Sequence, residues 1–115
     1  MDERLERALE FANYRITLSN QKRNIRTRMQ ILQTVHYANG SFIADPGTIG
    51  FINTLITAGK KSAIIIDTKD SPIQIDDLGE FLDILIEAYT EASNEYKVQI
   101  DKVNKARNIK KLMDW

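Results

Sequence analysis

The chain has no cysteine, only two prolines and five glycines, a single histidine and a single tryptophan among its 115 residues, and its formal net charge is zero. Without cysteine there are no disulfides and no thiolate metal ligands. So few helix breakers leave room for long uninterrupted helices. Balanced charge, from 16 basic and 16 acidic side chains, argues against a protein whose affinity comes mainly from neutralising phosphates. Long apolar runs are missing too, since Ala63–Ile66 and Ile84–Ile86 are far too short to span a bilayer. The charged start (Asp2, Glu3, Arg4, Glu6, Arg7) is unlike a signal peptide, so a cytoplasmic protein is expected.

What the sequence does have is helical periodicity at both ends. The length suits one domain, 1–115. Apolar residues at Leu5, Leu9, Ala12 and Ile16 keep a 4-3-4 spacing, and Leu18, Ile25, Met29, Leu32 and Val35 form a second, displaced stripe. These predict a first long helix over 2–38, with Asn39-Gly40 at its C-terminus. The last helix is predicted over 77–113. Asp77 and Glu80 are spaced as a capping box, and Leu78, Leu82, Leu85, Tyr89, Ala92, Tyr96 and Val103 follow the 4-3 spacing of a coiled-coil seam.

Between them, 39–76 reads as a small insert. Ser41–Ala44 is a strand candidate, and Asp45-Pro46 is an N-cap followed by proline at the first helical position. A short helix over Pro46–Ala58 ends at Gly59. Ala63–Ile66 predicts a buried strand, Thr68–Ser71 a turn and Ile73–Ile75 a returning strand. The expected fold class is therefore α+β, mainly α. Two long antiparallel helices form a coiled-coil-like hairpin, and the insert adds a short helix and a two- to three-stranded antiparallel sheet.

Charge supports the antiparallel hairpin. The first helix is acid-rich at Asp2, Glu3, Glu6 and Glu10, then basic at Arg15, Lys22, Arg23, Arg26 and Arg28. The last helix reverses that order, with Asp83, Glu87, Glu91 and Glu95 before Lys97, Lys102, Lys105, Arg107, Lys110 and Lys111. Exposed pairs contribute under about 1 kcal/mol each, so they specify orientation and register more than stability. Two helices leave each seam half covered, and a second copy is the economical cover. A homodimer or higher even oligomer is expected, with the seam from Leu78 to Val103 as its self-association surface.

Chemistry is sparse. His36 has no evident nucleophile beside it, and an imidazolium near a helix C-terminus suits the helix dipole. Asp67, Asp70, Asp76, Asp77, Glu80 and Asp83 cluster, but Lys69 and the missing glycine break the calcium-loop pattern. Turns and caps account for these acids. Gly47-Thr48-Ile49-Gly50 lacks the ending of a phosphate loop. No catalytic residue, cofactor or metal is expected.

Two binding readings remain. The basic residues Lys22, Arg23, Arg26 and Arg28, with Lys60 and Lys61, invite a nucleic-acid role. The order of elements is also similar in outline to a winged-helix DNA-binding domain, although one short helix stands where two are needed. The C-terminal Leu112, Met113 and Trp115 read as a docking peptide for another protein, or as the end of the bundle seam. The leading expectation is a non-enzymatic oligomeric interaction protein: an assembly factor, scaffold or adaptor. It binds itself and, through the tail or the insert, another protein, with nucleic-acid binding as the alternative and no membrane role.

Overall fold

A computed structural model describes residues 2–113, with side chains through residue 106. The elements in chain order are α1 (Glu3–Gln33), β1 (Thr34–Tyr37), β2 (Gly40–Ile43), α2 (Pro46–Thr57), β3 (Ala63–Ile66), β4 (Pro72–Ile75) and α3 (Leu78–Met113). The chain is α+β and mainly α, with a long helix at either end. Residues up to Arg28 together with those from Tyr96 onward form one compact unit, and Met29–Glu95 form a second.

Two sequence boundaries move. The first helix stops at Gln33 rather than Ala38, because Thr34–Tyr37 pairs antiparallel with Gly40–Ile43. Thr-Val-His-Tyr is β-branched and aromatic, which suits a pleated strand better than a last helical turn. Asn39-Gly40 thus belongs to a hairpin and not to a helix cap. Ala38 and Asn39 both take positive φ, 51° and 67°, as a two-residue type I′ turn requires. The expected single sheet is also two: β1 pairs only with β2, and β3 only with β4.

The helix caps follow the sequence closely. The Asp45 carboxylate accepts from Thr48 N–H at 2.7 Å, with Pro46 opening α2. Asp77 accepts from Glu80 N–H at 3.0 Å at the start of α3. The reciprocal arm of that capping box goes elsewhere, because Glu80 Oε2 accepts from the Tyr37 hydroxyl at 2.9 Å and so ties β1 to α3.

The core of Met29–Glu95 gathers one face from each of β1 to β4, from α2 and from the first part of α3. Val35, Phe42, Ala44, Ile52, Ile65, Ile75, Leu78, Phe81 and Leu85 are buried together. Phe81 is its hub: its ring lies 5.1 Å from Tyr37 and 4.9 Å, edge-on, from Phe42. Gly40 is required by this packing. A Cβ there would stand 2.7 Å from Ile73 Cγ1 and 2.9 Å from the Phe42 ring.

The other unit is more thinly covered. Its half-buried residues include Tyr14, Leu18, Lys22 and Ile25 on α1 and Tyr96, Gln99, Ile100 and Val103 on α3. No described residue of α1 is fully buried. The Tyr14 hydroxyl is nevertheless out of solvent and has no hydrogen-bond partner. No helix among the described residues is long and apolar enough to cross a membrane.

Candidate functional site

A hollow lined by polar side chains lies where the turn of β1–β2 meets the turn of β3–β4. It is open, about 450 Å³, and lined by residues 36–41 with Asp67 and Lys69. Asp67 is the one buried charged side chain among the described residues, 8% exposed. Its Oδ1 accepts from the N–H groups of Lys69 and Ser71, both at 2.9 Å, and its Oδ2 from Ser41 N–H at 3.1 Å. Alongside, Thr68 N–H donates to Ser41 C=O at 2.9 Å. Donors from Ser71 first and Ser41 next hold the Asp67 carboxyl below the usual carboxylate range, with burial opposing them and the Lys69 N–H assisting.

This carboxylate is a clasp between two hairpins. Both oxygens already accept from main-chain N–H groups, and no bond joins them to His36, which lies on β1, exposed, and not at a helix end. Three main-chain donors favour the charged form of this acid and so make it a weak proton acceptor. Among the described residues no three His, Asp or Glu side chains come together as metal ligands. The Tyr37 hydroxyl on the rim has its pKa raised, first by its hydrogen bond to Glu80, then by burial and by the charges of Glu80, Asp77 and Asp76. That hydroxyl therefore stays protonated and donating, which suits a structural tie.

Of the seven residues expected to mediate self-association, three are buried within the chain and four keep some exposed surface. Leu78, Leu85 and Ala92 have no exposed surface, and Leu78 and Leu85 belong to the core of Met29–Glu95, against which Leu82 and Tyr89 also pack. Tyr96 and Val103 are half-buried. Of the basic residues, Lys22 is half-buried, Arg23 and Arg26 are exposed, and Arg28 already has an interaction partner. Lys60 and Lys61 are exposed and belong to the other compact unit. The side chains of Leu112 and Met113, and Trp115 altogether, lie outside the described residues.

Exposed apolar side chains mark two other surfaces. On α1, Leu5, Leu9 and Ile16 are 50%, 47% and 59% exposed. With Ala12 they fall within about 60° of one another around the helix, opposite the half-buried Tyr14, Leu18 and Ile25. On β3, Ile64 and Ile66 are 62% and 60% exposed, whereas Ile65 is buried. The strand expected to be buried is buried on one face only. Its neighbour carried the signal, because Ile73-Gln74-Ile75 alternates and Gln74 stands opposite Ile64.

Comparison of the chain with family models, with characterised proteins and with solved structures returns no match.

Proposed function

We propose that the protein is a non-enzymatic, self-associating interaction protein, an assembly factor, scaffold or adaptor that works as a homodimer or higher even oligomer. The row Leu5–Leu9–Ala12–Ile16 on α1 carries this reading. Three large apolar side chains stay about half exposed or more on one side of a helix that fully buries no described residue. An uncovered apolar row in coiled-coil spacing is a surface for a partner helix. By contrast, the Asp67 carboxylate in the hollow between the two hairpin turns accepts from three main-chain donors.

The test is solution mass by size-exclusion chromatography with light scattering across a tenfold dilution, for the wild-type chain and Leu9→Glu. The expected result is an even oligomer whose mass falls in Leu9→Glu while the circular dichroism of its helices is unchanged. A wild-type monomer at every concentration refutes self-association.

A further inference from the structure

We propose that the outer edge of β3 pairs antiparallel with the same strand of a second copy, joining two β3–β4 hairpins into one four-stranded sheet. This rests on the self-association reading above and names a contact for it separate from the α1 row.

The main chain is the first ground. Asp67 N–H donates to Ser71 C=O at 2.9 Å, so Asp67 and Ser71 form a hydrogen-bonded pair. Bonded and non-bonded pairs alternate in an antiparallel ladder. Ile65 with Ile73 and Ala63 with Ile75 are then bonded pairs, and Ile64 and Ile66 turn their N–H and C=O groups away from β4. Among the described residues nothing outside the hairpin bonds to those four groups. They are spaced as one side of a β-ladder, which is what an added strand reads.

Two of the other edges offer less. On β4 the outward positions are Pro72, which has no N–H to offer, and Gln74, so that edge presents an interrupted row. On β2 the outward N–H and C=O of Ser41 are taken by Asp67 and Thr68. On β3 both outward residues are open, and they are the two exposed isoleucines.

Charge picks the occupant. Lys60 and Lys61 precede the strand, and Asp67 and Asp70, with Lys69 between them, follow it. Antiparallel pairing centred on Ile64 or Ile65 brings the lysine pair of one copy beside the net-acidic end of the other, twice by symmetry. Parallel pairing would set lysine against lysine. Antiparallel pairing also places Ile64 and Ile66 of both copies in one cross-strand row of β-branched side chains.

The experiment combines solution mass with amide hydrogen exchange read by NMR over a concentration series. Ile64→Lys, Lys60→Glu, Asp70→Lys and the Lys60→Glu/Asp70→Lys double variant are compared with wild type, each checked for retained circular dichroism. We expect Ile64→Lys to weaken association at least about tenfold. Each single charge variant weakens it less, and the double variant restores it. In wild type the Ile64 and Ile66 amides gain protection as concentration rises. If Ile64→Lys does not fold, the charge swap and the two amides decide. An oligomer indifferent to every β3 variant, with both amides exchanging as freely at high concentration as at low, overturns the β3 contact and leaves the α1 row standing. A wild-type monomer throughout overturns both.

Discussion

The β1–β2 and β3–β4 hairpins both have four-residue strands, yet they hold their outward-facing main chain by different means. The first is anchored at both ends. Ala44 N–H donates to Gln33 C=O at 2.7 Å, Gln33 Nε2 donates to Ala44 C=O at 3.1 Å, and Ser41 is held by Asp67 and Thr68. Its residues Tyr37 and Phe42 also flank Phe81. The second hairpin buries one face and leaves β3 open along its edge and its outer side. A short strand therefore costs little when a side chain such as Asp67 supplies the bonds that a neighbouring strand would, and keeps unbonded main-chain groups where none does.

Removing the anchor is the hardest test of this contrast. Phe81→Ala deletes a ring with no exposed surface between Tyr37 and Phe42, and should cost about 3–5 kcal/mol in urea unfolding. Gly40→Ala puts a Cβ against Ile73 and Phe42 where the two hairpins touch, an overpacking cost of about 1–3 kcal/mol by the same measurement. A loss near zero would mean that the hairpins slide apart freely.

Asp67→Asn keeps the shape of the clasp and removes its charge. A lower Tm by several degrees is expected near neutral pH. The folded pKa of Asp67 is lowered, so its contribution is complete above the ordinary carboxylate value of about 4 and fades as pH falls toward the folded value. Wild type and variant should therefore converge in Tm in acid. Parallel melting curves from pH 7 to pH 2 would remove the clasp from the account.

The smallest change sharpens the turn itself. Ala38 sits at φ 51°, a left-handed backbone that alanine adopts poorly and asparagine tolerates. Ala38→Asn should raise stability by about 0.5–1 kcal/mol. No gain would indicate that the hollow around residues 36–41 imposes that backbone at no cost.

Helix caps, the extent of α2 and the β3–β4 pairing were legible because each depends on local chemistry. Asp45-Pro46, Asp77 with Glu80, and Ile73-Gln74-Ile75 each say in a few residues what they do. The β1–β2 hairpin was hidden, because Val35 continues the apolar period of α1 and Asn39-Gly40 serves a helix end as well as a turn. Tertiary packing settles the matter. Val35 and Phe42 are opposite each other and both buried, which centres the turn on Ala38-Asn39, one residue before the Asn-Gly pair. Gly40 is freed from the turn and fills the space beneath Ile73. For the candidate surfaces, periodicity found the seam of α3 but could not show that Leu78 and Leu85 would be consumed by the hairpins. The row on α1 was visible as a pattern, and only the fold shows it uncovered. The turn role of Asp67 was legible from Thr68–Ser71, but its bond to Ser41, distant in sequence, was not.

The junction between α1 and β1 has a further consequence, for how length changes are tolerated along the chain. Gln33 is the last helical residue and Thr34 the first of the strand, with no residue between them. The same Gln33 is fastened through main chain and side chain to Ala44. An added residue here has no loop to absorb it. It would either carry Val35 to the outer face of the strand or turn the preceding helix by roughly 100°. The turn at Thr68–Ser71 carries no such coupling between elements of different period. Natural variation in length should therefore gather at hairpin tips and spare residues 33–34, where the spacing of a helix is converted directly into the alternation of a strand.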